Sequence, residues 1–407
     1  MQRTLSDWLD HQQRVHVRAI DLGLDRVREV WQRMGAPPVA RTVITVGGTN
    51  GKGSTIAFLE AMLRAGGMRV GAYTSPHILR YNERVRIDGA DVGDDGLIAA
   101  FERIEAARAD IPLTYFEFGT LAAFDSFARA ELDVALLEVG LGGRLDAVNL
   151  ADADAAIVTT VDLDHMEYLG NDRESIGREK AGIFRAGRPA VVGESDPPRS
   201  LLEHARAIGA RLQVSGRNFG WARQSDAMEF WCSALAQAGE LSMPAMGDAP
   251  VRFSGDLALQ GEFQYRNAAA AVAALCALGE RVRWHIGAIA GSGRGISREP
   301  PMLAGRLQVI AHDPDVIVDV AHNPQAARAL ATWLDANPTD GSCHAVFGAL
   351  ADKDVAGMMQ SLHPPIARWT LSALDGESPR GLPAPELARR APEASPQAGT
   401  GAHPPDA

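Results

Sequence analysis

The sequence predicts an α/β protein: a mostly parallel sheet domain with flanking helices, followed by a smaller C-terminal α/β domain. Three observations predict it. Short β-branched runs alternate with longer helical patterns, a glycine-rich loop joins the first run to a helix, and the rhythm breaks over 216–301 and restarts. The 407 residues suggest two or three domains. A composition of 46% hydrophobic and 22% charged residues excludes wholesale disorder.

The strands come first. Residues 42–46, 70–74, 134–139, 156–161 and 189–192 are mostly apolar, β-branched-rich runs rather than alternating ones, as in strands covered on both faces. Helical patterns occupy 54–65, 119–130 and 199–208. Residues 216–256 mix aromatics, Gly and Pro without a period, which suits a small irregular or antiparallel subregion. A helix over 267–278 follows, and the Gly- and Pro-rich stretch 291–301 reads as a linker. The second domain then offers strands at 307–311, 316–320, 345–347 and 369–371, with helices at 325–336 and 355–362. The expected organisation is a first domain over 1–294, a linker over 295–301, a second domain over 302–375 and a Pro/Ala-rich tail over 376–407. The tail contains no Ile, Val, Phe, Tyr or Trp. Such a composition is expected to stay poorly ordered, to pack little and to leave the strand at 369–371 uncovered on one side.

Charge and cysteines narrow the function. Forty Lys and Arg against 51 Asp and Glu leave a net charge of −11, poorly matched to a nucleic-acid backbone. Cys232, Cys276 and Cys343 form no CxxC pair, which argues against a disulfide framework or a zinc ribbon. Residues 1–14 lack an apolar signal-peptide core, and the most apolar run, 268–278, is shorter than the ~20 residues of a membrane span. A cytoplasmic protein with reduced thiols, no membrane and no nucleic-acid partner is expected.

The loop carries the chemistry. Thr42-Val-Ile-Thr-Val46 runs into Gly47-Gly-Thr-Asn-Gly-Lys-Gly-Ser-Thr55. Glycines let backbone N–H groups face phosphates, a helix N-terminus adds positive potential, Lys52 can meet the β/γ-phosphates, and Ser54 or Thr55 can face Mg²⁺. The first domain is therefore P-loop-type. The strict GxxxxGK[ST] pattern is not met, because Val46 stands at the first glycine and Gly53 separates Lys52 from Ser54.

Gly47-Gly-Thr-Asn-Gly-Lys-Gly-Ser54 resembles the variant loop of the Mur ligase superfamily, and Gly53 resembles its folate branch, the folylpolyglutamate and dihydrofolate synthases. Further segments resemble that branch in order: Tyr73-Thr-Ser-Pro-His-Ile-Leu-Arg-Tyr-Asn-Glu-Arg84, Leu137-Glu-Val-Gly-Leu-Gly-Gly-Arg-Leu-Asp-Ala-Val-Asn149, Asp164-His-Met-Glu-Tyr-Leu-Gly170, Ile176-Gly-Arg-Glu-Lys-Ala-Gly-Ile183 and Asp319-Val-Ala-His-Asn-Pro324. Roughly residues 15 to 380 take part.

The resemblance implies one or two Mg²⁺ ions held by Ser54, Ser75, Glu138 and His165, with Lys180 carboxylated on its amine to serve a second ion. It implies ATP as co-substrate, bound by Thr49, Asn50, Gly51, Lys52, Gly53, Ser54, Asn267, Arg306 and Asp319. Lys52, Lys180 and His322 are the catalytic candidates. The implied reaction joins L-glutamate to dihydropteroate and to tetrahydrofolates through an acyl phosphate, in a monomer. Asp21, Leu22 and Gly23, with Thr114, Tyr115, Phe116, Glu117, Leu145, Asp146 and Ala147, resemble the pterin-side pocket of the bifunctional bacterial enzymes. Two aromatics beside a carboxylate suit a flat ring with donor nitrogens.

Two other readings stand beside this one. A cell-wall peptide ligase of the same superfamily is opposed by Gly53, Ser75-Pro-His77 and Arg178-Glu-Lys-Ala-Gly182. A nucleotide-binding protein with impaired catalysis is suggested by the region after Pro379-Arg-Gly381, where the family's further helix, strand and turn are not recognisable and a truncated gene end is expected.

Overall fold

The computed structural model describes residues 3–18, 20–224, 227–232, 251–254, 257–289, 303–363, 365–376, 378, 380–392 and 399–400. Its elements run α1 (Leu5–Val15), α2 (Asp25–Arg33), β1 (Thr42–Gly47), α3 (Lys52–Ala65), β2 (Val70–Tyr73), β3 (Val85–Ile87), β4 (Ala90–Asp91), α4 (Asp94–Arg108), α5 (Tyr115–Ala130), β5 (Val134–Glu138), β6 (Ala155–Val158), α6 (Met166–Leu169), α7 (Arg173–Ala181), β7 (Pro189–Val192), α8 (Arg199–Ala207), β8 (Arg211–Val214), β9 (Phe219–Gln224), β10 (Ala227–Cys232) and β11 (Val251–Ser254). They continue with α9 (Phe263–Leu278), β12 (Gln308–Ala311), β13 (Val316–Val318), α10 (Pro324–Ala336), β14 (His344–Phe347), α11 (Val355–Leu362), β15 (Arg368–Leu371), α12 (Ala384–Arg390) and β16 (Gly399–Thr400).

The chain divides into two compact units. One comprises Met1–Leu163, Leu169–Leu259 and Gln264–Ala304; the other comprises Asp164–Tyr168, Gln260–Phe263 and Gly305–Ala407. The expected linker over 295–301 lies outside the described residues.

In the first unit an eight-stranded sheet runs β4-β3-β2-β5-β1-β6-β7-β8, antiparallel only along β2-β3-β4. The expected mostly parallel architecture is present. β1 is buried at every position because apolar layers cover both faces. Ile44, Val46, Val134 and Leu136 enter one core cluster with residues of α3 and α9, while Val43, Ala135 and Leu137 enter the other with residues of α4 and α5. Register places Val46 beside Glu138, and Gly47 beside Val158. The carboxyl ends of β5, β1 and β6 therefore finish level, where doubly wound sheets bind ligands. The aperiodic region contains an antiparallel sheet, β11-β10-β9.

The second unit has an antiparallel pair, β12 and β13, and a parallel sheet, β14-β15-β16. Its core joins Ala327, Val355, Met358, Trp369, Leu371, Leu382 and Leu387. This corrects the expectation that residues from Gly376 onward pack little. Leu382 and Leu387 are fully buried, and Leu387 sits on α12, where Pro385 falls in the first turn, a position proline tolerates. The Leu382 N–H donates to Ala349 O at 3.1 Å, and β16 pairs with β15 at Thr370 and Leu371. Two leucines and backbone pairing replace the missing β-branched residues. Residues 393–398 and 401–407 lie outside the described residues. No helix among the described residues is long and apolar enough to cross a membrane.

Candidate active site

The loop after β1 is fastened to the segment after β6. Thr49 N donates to Thr160 O at 2.7 Å, and Asn50 N to Thr160 Oγ1 at 3.0 Å. Thr159 Oγ1 donates to Asn50 O at 2.6 Å, and Asp162 N to Thr49 Oγ1 at 3.0 Å. A Cβ on Gly48, at φ +142°, would collide with the Thr159 hydroxyl, so the approach requires glycine. Lys52 Nζ lies over the loop, donating to Gly48 O and Thr49 O at 3.1 Å each. Lys52 also opens α3, whose first turn has no acidic residue to offset its positive end. The first turn of α3, whose N–H groups have no intrahelical acceptor, and the lysine together form an anion cradle.

Beside the cradle stands Glu138, the buried last residue of β5. Its Oε2 accepts from Ser75 N at 3.2 Å and lies 3.7 Å from where a Gly53 Cβ would be. Buried Ser54 accepts from Gln264 Nε2 at 3.2 Å. Asn267, on α9, packs so closely on Gly51 that a Cβ there would lie 2.5 Å from its Oδ1. Lys180 is buried on α7.

A second cluster forms around α5. Arg26, from α2, pairs with Asp21 at 2.6 Å and donates from Nε to Glu117 at 2.9 Å. Glu117 also accepts from Thr114 N and Oγ1, at 2.8 and 3.0 Å, closing the capping box that starts α5. Leu22 and Gly23 lie between Asp21 and α2, with open space where a Gly23 Cβ would be. Tyr115 meets Tyr81 edge-on at 5.8 Å, with the Arg84 guanidinium 5.6 Å over the Tyr115 ring. Phe116 packs 5.9 Å from Tyr73. Burial pushes the Tyr73 phenol up to about 12 and Tyr81 well above its usual value, against the pull of Arg84, so both stay neutral. Between Leu145 and Ala147, the buried Asp146 carboxylate accepts from Leu141 N at 2.8 Å and Val148 N at 3.0 Å. It shapes the glycine turn after β5. Burial pushes it up to about 7, against those backbone donors.

The second unit carries a separate polar cluster. Asp164 is paired with Lys353 at 2.9 Å, and His322 Nε2 lies 3.4 Å away. Burial alone would raise the Asp164 carboxyl, but His322, His165 and Lys353 hold it well below the ordinary range. His165 follows at φ +49°, a strained setting of the kind found at functional positions. Asp319 accepts from Leu307 N at 2.9 Å and Ala321 N at 2.8 Å, shaping the turn that carries His322, and Arg306 donates to Gly305 O at 3.2 Å.

The chain's sequence matches two domain families. The Mur ligase middle domain covers residues 46–275, and the Mur ligase glutamate ligase domain covers 305–404. It is 44% identical over 383 residues to the dihydrofolate synthase/folylpolyglutamate synthase of Escherichia coli K12, spanning 94% of this chain and 84% of that protein. The chain belongs to the Mur ligase family.

Solved structures place it in the folate branch of the Mur ligases. Escherichia coli FolC in complex with DHPP and ADP matches with a TM-score of 0.84 and 42% identity, over 98% of this chain and 89% of that one. A bifunctional folylpolyglutamate synthase/dihydrofolate synthase with Mn, AMPPNP and L-glutamate bound matches with a TM-score of 0.83 and 41% identity, over 97% and 89%.

Among the described residues no group of three or more His, Cys, Asp or Glu is placed to hold a metal ion. The all-oxygen set of Ser54, Ser75 and Glu138 nevertheless suits Mg²⁺, which takes one or two carboxylates and completes its shell with waters and phosphate oxygens. In this Mur ligase, Thr159, Thr160, Arg26, Gln264 and Lys353 were not among the sequence-based site candidates, and Asp164 entered only as the first residue of the Asp164–Gly170 segment. Asp164 carried a local signal through that segment, and so did the Thr159-Thr160 pair, two hydroxyls at the end of a mostly apolar strand.

Proposed function

We propose that the chain is an ATP-dependent carboxylate–amine ligase of folate biosynthesis, adding L-glutamate to dihydropteroate and to the γ-carboxylate of tetrahydrofolates. The carrying observation is the phosphate cradle of Thr49, Asn50, Gly51, Lys52, Gly53 and Ser54, level with Glu138 at the carboxyl ends of adjacent strands. The ligands named for the related structures, DHPP, ADP, AMPPNP, Mn and L-glutamate, support the same substrates here.

The amides of the first turn of α3 and Lys52 hold the β- and γ-phosphates of ATP, Asn267 holds the adenine side, and Arg306 and Asp319 are further ATP-binding residues. The acceptor's carboxylate oxygen attacks the γ-phosphorus, and the bond to the β-phosphate oxygen breaks, leaving an acyl phosphate and ADP. The glutamate amine then attacks the acyl carbon, loses a proton and expels phosphate. Lys52 offsets the charge that develops on the transferred group. His322 orients glutamate. Asp21, Leu22, Gly23, Thr114, Tyr115, Phe116, Glu117, Leu145, Asp146 and Ala147 form the pterin pocket, with Tyr115 and Phe116 providing flat aromatic surface. Ser54, Ser75, Glu138 and His165 would hold Mg²⁺, with a carboxylated Lys180 for a second ion, and the metal when bound neutralises phosphate charge. The protein acts as a cytoplasmic monomer, without nucleic acid or membrane.

Phosphate release with ATP and L-glutamate tests this. Turnover is expected with dihydropteroate and with tetrahydrofolate. Turnover only with a cell-wall peptide precursor would move the chain to another branch, and none with any acceptor would favour a nucleotide-binding protein with impaired catalysis.

A further inference from the structure

We infer that Gln264 is a positioning residue that couples the phosphate side of the nucleotide site to its adenine side through one side-chain amide. The inference rests on the nucleotide reading above.

Gln264, Ser54 and Asn267 are all buried, so each hydrogen bond forms where water cannot replace it. Gln264 and Asn267 lie three positions apart on α9 and so share one face. Gln264 Oε1 accepts from Asn267 Nδ2 at 2.9 Å, which turns Asn267 Oδ1 toward Gly51. Gln264 Nε2 donates to Ser54 Oγ at 3.2 Å. That donor fills one of the two lone pairs on Ser54, leaving the other and the hydroxyl proton for a ligand. Neither amide can flip alone, because a flip of Gln264 sets its NH₂ against the NH₂ of Asn267. One side chain therefore sets the direction in which Ser54 and Asn267 each present their remaining groups.

Two variants separate the two halves of this role. Gln264→Met loses both hydrogen bonds in a similar volume. Gln264→Glu keeps an acceptor for Asn267 but removes the donor to Ser54. Calorimetric binding of ADP and of GDP to the full chain, with Mg²⁺ and with EDTA, reads both ends without requiring turnover. For Gln264→Met, ADP affinity is expected to fall roughly 3- to 10-fold per lost bond, with the preference for ADP over GDP and the gain from Mg²⁺ both shrinking. For Gln264→Glu the base preference should stay as in the wild type while the response to Mg²⁺ changes. If the variants only melt earlier and keep both ratios within about twofold of wild type, Gln264 is a packing residue and the inference fails. If Gln264→Met does not fold, Gln264→Glu decides alone through its Mg²⁺ response. A wild-type chain that binds no nucleotide would overturn the nucleotide reading, and the coupling with it.

Discussion

Arg26 Nε lies 2.9 Å from the Glu117 carboxylate, joining α2 to the first turn of a helix 91 positions further along the chain. The same guanidinium holds Asp21, so two acids proposed for one pocket share a single cation.

Arg26→Ala should leave the buried Glu117 charge without its partner. The expected loss is about 3 kcal/mol of stability in chemical denaturation. KM for dihydropteroate should rise while KM for ATP stays nearly level. Equal changes in both constants would show that the cluster does not serve the acceptor.

Lys52→Ala should lower turnover at least ~100-fold, the scale of removing one donor aimed at developing charge. The variant should still show a cooperative melting transition, so that the lost turnover is not lost folding. An active variant would remove the phosphate role.

Gly51→Ala tests the loop by sterics alone. Its φ of +90° costs an L-residue about 1–2 kcal/mol, and the new methyl meets Asn267 Oδ1 at 2.5 Å. ADP affinity measured by calorimetry should fall at least tenfold, since ~1.4 kcal/mol already gives that factor. Unchanged affinity would mean that nucleotide does not use this turn.

Glu194 supplies a pH prediction. Burial raises its carboxyl from 4.5 to about 7, against Arg173 and the Val161 N–H. The folded state then holds a proton that the unfolded chain has already released. Stability from this group is complete below about pH 4.5 and declines as pH rises toward 7. Asp146 shifts the same way, from 3.8 to about 7. Glu194→Gln should flatten the dependence of melting temperature on pH across that window, and an unaltered slope would refute the assignment.

Leu387→Ala should destabilise the second unit by about 2–5 kcal/mol, as for a fully buried leucine. Amide exchange over β15 would report it. A silent substitution would return α12 to the status of a loose appendage.

The contrast between Val46 and Leu387 shows where the sequence was legible. Val46 ends the β-branched run Thr42-Val-Ile-Thr-Val46 before a glycine loop, a pattern that a buried parallel strand satisfies. Leu387 stands in a Pro- and Ala-rich stretch whose average composition hides the one face it uses. The polar helices α1 and α2 escaped notice for the same reason, since Trp8, Val27, Val30 and Trp31 bury narrow stripes. At the site, Lys52, Ser54 and Glu138 could be nominated because local spacing displays them. Arg26 and Gln264 could not, because they act through partners that only folding brings near.

The strand order has a thermal consequence. β1 has β5, β2, β3 and β4 on one side and β6, β7 and β8 on the other. Sheets fray from their rims, and opening β1 requires breaking two parallel neighbours at once. On warming, the rim strands β4 and β8 should surrender first, and the turn that grips a phosphate should be among the last to melt.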